Sequence, residues 1–167
     1  SKDKKNFDVV LLSAKNNYKK LIQQAKKFKV KNIIIKNELF YEKAKKILKK
    51  TKIKVFSGNT PITSIISGRI DFTMSAIVGL AGLQPTVDAI KVSKTVALAN
   101  KESIVCGWHI LEKLKTKYNT KILPVDSEHF SIMELIQNAK DDEVAEIIIT
   151  ASGGPFLYTP LKKFKFI

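Results

Sequence analysis

Along the chain, short apolar runs rich in β-branched residues alternate with longer stretches whose apolar positions recur at helical spacing. A compact run such as residues 7–12 has no polar face, which is the mark of a strand covered on both sides. In residues 17–28, Leu21, Ile22, Ala25 and Phe28 fall on one face, the pattern of an amphipathic helix. The same alternation predicts strands at 31–35, 52–56, 71–75, 94–99, 121–125 and 144–150. It predicts helices at 38–50, 60–67, 83–92, 102–115 and 130–138. In the helix 38–50, Leu39, Ala44, Ile47 and Leu48 are expected to face inward. Pro85 falls in the first turn of the helix 83–92, where a missing N–H costs nothing. Strands alternating with helices imply an α/β fold with a largely parallel, Rossmann-like sheet.

In such sheets ligands gather beyond the carboxyl ends of the strands. Four polar clusters lie there: 13–17, 100–102, 126–128 and 152–154. Ala14-Lys15-Asn16-Asn17 follows the first strand. An acidic residue after a second Rossmann strand favours NAD, whereas basic and amide groups suit the extra phosphate of NADP; an ordinary capping loop is the alternative. Asn100-Lys101-Glu102 stands at a strand–helix junction, where a lysine can reach a substrate oxygen or where Asn100 can simply cap a helix. On an extended segment Asp126 and Glu128 would project to one side, a pair of hard oxygen donors suited to Mg²⁺ or Mn²⁺. The competing reading makes Asp126 or Ser127 a helix N-cap. Ser152-Gly153-Gly154 can present backbone N–H groups and a hydroxyl to an anion, or form a plain turn. His109 is expected to be structural or exposed, His129 to orient a ligand or pack, and Cys106 to be a small core residue.

Composition changes this picture little. The 167 residues, 44% hydrophobic, suffice for one domain and part of another. The net charge of +15 raises nucleic-acid binding as an alternative. Against it, Arg69 is the single arginine, the lysines follow surface-helix spacing, and no aromatics interleave with them. No apolar run approaches the roughly 18 residues of a membrane span, and no signal peptide is visible. A lone cysteine excludes an intrachain disulfide.

Four segments, in order, resemble the 1-deoxy-D-xylulose 5-phosphate reductoisomerase family. They are Ser75-Ala76-Ile77-Val78-Gly79 with residues 81–86, Leu98-Ala99-Asn100-Lys101-Glu102-Ser103, Pro124-Val125-Asp126-Ser127-Glu128-His129, and Ser152-Gly153-Gly154-Pro155-Phe156. The resemblance implies an enzyme that isomerises and reduces 1-deoxy-D-xylulose 5-phosphate to 2-C-methyl-D-erythritol 4-phosphate in the non-mevalonate isoprenoid pathway. It uses NADPH and Mg²⁺ or Mn²⁺. By resemblance Asp126 and Glu128 are metal ligands and, with Lys101, catalytic. Lys101, Ser127, Glu128 and Ser152 face the phosphorylated ketose. Ala14, Lys15, Asn16, Asn17, Asn100 and Glu102 contact the cofactor. The loop at 14–17 departs from the family's Ala-Gly-Lys-Asn, which leaves open which residue meets the 2′-phosphate.

The resemblance further implies a homodimer without nucleic-acid or membrane partners, in the cytoplasm of a bacterium or the stroma of a plastid-type organelle. An NADPH-binding domain is expected over 1–126 and the start of a catalytic domain over 127–167. No G-x-G-x-x-G occurs in the chain. The family carries that turn upstream and a third metal carboxylate downstream, so this segment alone is expected to be inactive. The alternatives are another Rossmann-type NADP oxidoreductase or a basic nucleic-acid-binding domain.

Overall fold

A computed structural model describes residues 6–148 and 158–166. The order is β1 (Leu11–Ala14), α1 (Tyr18–Lys27), β2 (Asn32–Ile35), α2 (Glu38–Leu48), β3 (Lys54–Ser57) and α3 (Ile62–Ile65). Then come β4 (Ile70–Ser75), α4 (Leu83–Val92), β5 (Ser93–Leu98), α5 (Lys101–Tyr118), β6 (Lys121–Pro124) and α6 (Ser127–Ile136). All pairing is parallel, but the strands form two sheets, β1-β2-β3 and β4-β5-β6, where the pattern suggested one. The α/β class and parallel pairing follow from the alternation of elements.

The first sheet packs against α1 and α2 through Leu21, Ile22, Ala25, Val30, Ile33, Ile35, Ala44 and Leu48. The second packs against α4 and α5 through Ala89, Ile90, Val96 and Leu111. Helix starts are set by side-chain caps. Asn17, Asn37, Asn100 and Asp126 each accept a backbone N–H three residues on, at 3.2, 3.4, 2.6 and 3.0 Å. Lysines crowd the last turns of α1, α2, α4 and α5, where they meet the negative end of the helix dipole. Seven of the thirty basic residues therefore have a local structural place.

Several expectations fail for identifiable reasons. The first strand begins at Leu11, and Phe7 is 72% exposed. On α2 the buried stripe runs through Phe40, Ala44 and Leu48, so Leu39 and Ile47, one helical step away, are exposed. On α5 it runs through Ser103, Gly107 and Leu111, which turns Cys106 outward rather than into the core. Residues 144–148 of the strand expected at 144–150 form no strand, and 149–150 lie outside the described residues. The last helix starts at Ser127 rather than at Phe130, because Asp126 caps it there.

Candidate active site

Ala14, Lys15, Asn16 and Asn17 leave the carboxyl end of β1, and their backbone is tied to the end of β2. Lys36 N–H donates to Ala14 O at 3.0 Å and Asn37 N–H to Lys15 O at 3.1 Å. The Asn37 side-chain amide donates to Asn16 Oδ1 at 3.2 Å. Asn17 caps α1, so its Oδ1 already has a partner. These strand ends form one wall of a cavity of about 700 Å³, closed on the other side by residues of α4 such as Gln84 and Asp88. Asp88, the acidic residue of that lining, is held by Gln84 Nε2 at 3.0 Å and by Lys91 Nζ at 3.7 Å. The cavity therefore has a lysine rim and no free carboxylate opposite it. An anionic, phosphate-bearing ligand suits that rim.

Asn100 follows β5 and is 2% exposed. Its Oδ1 accepts from Ser103 N–H, while its Nδ2 donates to Gly79 O at 2.9 Å and to Ile77 O. Both amide hydrogens are thus occupied in pinning the loop after β4. That loop turns at Gly79, whose φ of 76° favours glycine. Gly82 leaves room for the arrangement: a Cβ there would collide with Asn100 Nδ2 and Ile77 O. Beneath the loop, Thr86 Oγ1 donates to Gly82 O at 2.7 Å, which leaves Ser75 Oγ as the donor in the buried 2.7 Å Ser75–Thr86 bond. On this platform Lys101, the first residue of α5, is exposed, and Glu102 is half-buried in the first turn. No carboxylate of the described residues lies within ion-pair distance of Lys101.

Asp126 follows β6. Its Oδ1 accepts the His129 backbone N–H at 3.0 Å and meets His129 Nδ1 at 2.6 Å. Its Oδ2 is buried and has no hydrogen-bond partner among the described residues. Burial by itself raises the Asp126 pKa, but the His129 backbone N–H and ring outweigh it and hold the carboxyl below its ordinary value. Asp126 is thus ionised with one oxygen unpartnered, the condition in which a cation binds. Glu128 is exposed in the first turn of α6. The extended geometry expected for 126–128 is therefore replaced by a cap followed by helix, and Asp126 and Glu128 do not stand two apart on one strand face. Among the described residues no group of three or more histidine, cysteine or acidic side chains is poised for a metal. Each of Asp126 and Glu128 is a hard oxygen donor of the kind Mg²⁺ or Mn²⁺ takes.

Ser127 is exposed between them. Ser152, with Gly153 and Gly154, lies outside the described residues. The residue that sequence reasoning undervalued is His129, since an Asp-x-x-His spacing across a helix start lets the cap hold the imidazole. His109 is exposed on α5.

The sequence model described as 1-deoxy-D-xylulose 5-phosphate reductoisomerase matches residues 1–107, and that described as its C-terminal domain matches 122–167. A 1-deoxy-D-xylulose 5-phosphate reductoisomerase from Pelagibacter ubique is 49% identical over 167 residues, which is 99% of this chain and 43% of that protein. The protein of that name from Bacteroides thetaiotaomicron is 38% identical over 96% of this chain and 42% of its own length. Among solved structures, the Zymomonas mobilis reductoisomerase in complex with NADPH superposes with a TM-score of 0.84 at 36% identity, covering 99% of this chain and 44% of that one. A reductoisomerase in complex with NADPH, fosmidomycin and magnesium gives 0.78 at 26% identity, again covering 99% and 44%. The chain spans less than half the length of the relatives it matches.

Proposed function

The chain belongs to the 1-deoxy-D-xylulose 5-phosphate reductoisomerase family, and on that premise we propose that it forms the NADPH-binding part and the first metal- and substrate-binding residues of such an enzyme. The reaction is the rearrangement and NADPH-dependent reduction of 1-deoxy-D-xylulose 5-phosphate to 2-C-methyl-D-erythritol 4-phosphate. The observation that carries the reading is the buried Asp126 Oδ2, which has no hydrogen-bond partner among the described residues. That feature sits in the segment matched by the C-terminal family model, and a related structure binds magnesium.

In this reading Asp126 and Glu128 hold the divalent cation, Mg²⁺ or Mn²⁺, with a third ligand from outside the described residues. A cation held there would supply Lewis-acid polarisation of a substrate oxygen. His129 fixes the Asp126 carboxylate through Oδ1, and Oδ2 is the oxygen left for the cation. Lys101 donates to a substrate oxygen and balances charge that develops there. Ser127 and Ser152 add hydroxyl contacts to the substrate. Ala14, Lys15, Asn16 and Asn17 line the adenosine end of the cofactor, where the absence of an acidic side chain suits NADPH. Glu102 contacts the cofactor from the first turn of α5. Asn100 serves the cofactor indirectly, because its side chain is fully engaged in holding the 77–79 loop.

We further place a domain boundary at residue 126, with the NADPH-binding part before it and catalytic residues after it. The division of the two family matches between 107 and 122 supports a break in this region. The parallel pairing of β6 with β5 favours a boundary after β6. The homodimer and the isoprenoid pathway come with the family reading. The relatives named above favour a bacterial setting over a plastid one.

The test is turnover by the full-length protein that contains this segment. NADPH oxidation is expected only with 1-deoxy-D-xylulose 5-phosphate present. It should be lost on chelation and be restored by Mg²⁺ or Mn²⁺. Undiminished turnover after complete chelation, or equal kcat/KM with NADH, would contradict the reading.

A further inference from the structure

The strand register sets two lysines side by side at the cavity mouth. In the β1–β2 ladder Ser13 pairs with Ile34 and Ala14 with Ile35. The 3.0 Å bond from Lys36 N–H to Ala14 O carries that register one residue past the strands, and the 3.1 Å bond from Asn37 N–H to Lys15 O ties the two segments together where the regular ladder ends. Lys15 and Lys36 are therefore neighbours across the two strands. They stand one step beyond β1 and β2, two residues on from Ser13 and Ile34. All four residues line the cavity.

Like charges placed opposite each other on adjacent strands destabilise the pair. Neither lysine has a carboxylate within ion-pair distance among the described residues. Lys36 Nζ instead donates to Asn59 Oδ1 at 3.1 Å and to Gly58 O at 3.5 Å, both neutral acceptors. Its stem lies against Gly58, where a Cβ would collide with Lys36 Cδ and Cα. Close packing fixes the stem, and two neutral acceptors leave the charge uncompensated. Two lysines at adjacent strand ends that line a cavity with no free acid are matched by a compact dianion, and a phosphate monoester is one.

We propose that Lys36 is a specificity-determining residue for the cofactor, closing with Lys15 on the 2′-phosphate of NADPH. This rests on the proposed use of NADPH and adds a residue to it. It also accounts for the altered 14–17 loop: Asn16 is tied to Asn37, and the second cation comes from the end of β2.

The experiment measures binding of NADPH and NADH to the full-length protein through nicotinamide fluorescence, for the wild type, Lys36→Met, Lys36→Arg and Lys15→Met. Methionine keeps the packed stem and removes the charge. NADH retains the pyrophosphate and lacks the 2′-phosphate. Lys36→Met should weaken NADPH roughly 10- to 100-fold, the loss of one hydrogen bond to a charged group. NADH binding should be unchanged. Lys36→Arg should keep most of the NADPH affinity, and Lys15→Met should behave like Lys36→Met. Equal weakening of both nucleotides would assign Lys36 to the pyrophosphate or to packing and overturn the proposal, as would unchanged NADPH binding. A wild type that binds both nucleotides equally would overturn the NADPH reading itself and this assignment with it. A wild type that prefers NADPH while Lys36→Met keeps that preference overturns the assignment alone.

Discussion

The two three-stranded units share one plan, parallel strands with capped helices between them, yet they are held together differently. The first, β1 to β3, is closed by aliphatic side chains such as Ile33, Ile35 and Leu48. Among the described residues the buried polar side chains all belong to the second: Ser75, Thr86, Asp88, Ser93, Asn100, Ser103 and Thr120. A core of aliphatic groups tolerates repacking, whereas buried polar groups depend on particular partners, which Ser75, Thr86, Ser93, Asn100 and Thr120 have and Ser103 Oγ lacks among the described residues. The first unit therefore presents its lysine rim from a scaffold insensitive to detail. The second fixes the approach to Lys101 by hydrogen bonds that a single atom's change would disrupt.

The largest stability effect belongs to the apolar unit. Ile33→Ala removes a fully buried side chain from the centre of the first sheet and should cost about 2–5 kcal/mol in urea unfolding of the full-length protein. Turnover of the molecules that remain folded should be close to normal. Thr86→Val keeps the shape but strips the Ser75 and Gly82 groups of their partner, at about 1–3 kcal/mol. Although it is the smaller stability loss, it should reduce turnover more than Ile33→Ala, because Gly82 and the 77–79 loop adjoin Asn100 and Lys101. The comparison fails if Ile33→Ala lowers the turnover of folded protein as much as Thr86→Val does.

The smallest effect is on the surface. The Asp71 carboxyl is held below its ordinary value by its hydrogen bond and charge interaction with Lys94, against a small opposing effect of burial. A lowered folded pKa gives a contribution that is present above the ordinary carboxylate range and is lost as pH falls through the folded value. This pair is exposed, so solvent screening leaves little of it. Asp71→Asn should leave the neutral-pH melting temperature unchanged within error, and a clear drop would show that the second sheet relies on surface charge as well.

Much of this was legible in the sequence. The alternation of β-branched runs with amphipathic stretches gave the α/β class, and the helix 83–92 matches α4 in both bounds. Caps were legible where the side chain is Asn or Asp after an apolar run, as at Asn100 and Asp126. Composition could not separate Leu39 from Phe40 as the inward residue of α2, because both are apolar and the packing of the neighbouring sheet chooses between them. The geometry at 126–128 was misjudged for a related reason. A polar triplet after a strand can extend it or start a helix, and the cap bond from Asp126 to His129 decides for the helix. The His129–Asp126 contact and the Lys15–Lys36 pair depend on partners three residues apart across a cap and twenty-one apart across a ladder. The first has a local signature in the Asp-x-x-His spacing, whereas the second has none in the composition of its own segment.

The central claim, that the chain carries a nucleotide rim and a metal carboxylate as separate parts of one reductoisomerase site, is tested most directly by Asp126→Asn in the full-length protein. Asparagine caps helices as well as aspartate does, so α6 should persist. The charge on the unpartnered Oδ2 is what disappears. Mn²⁺ binding, followed by electron paramagnetic resonance, should weaken by about 100-fold or more, since even indirect changes at metal sites cost 10- to 100-fold. Turnover should fall in parallel, while NADPH affinity stays within about twofold, as expected for well-separated sites. Retained Mn²⁺ affinity and turnover in a folded variant would contradict the account and leave Asp126 as a helix cap alone.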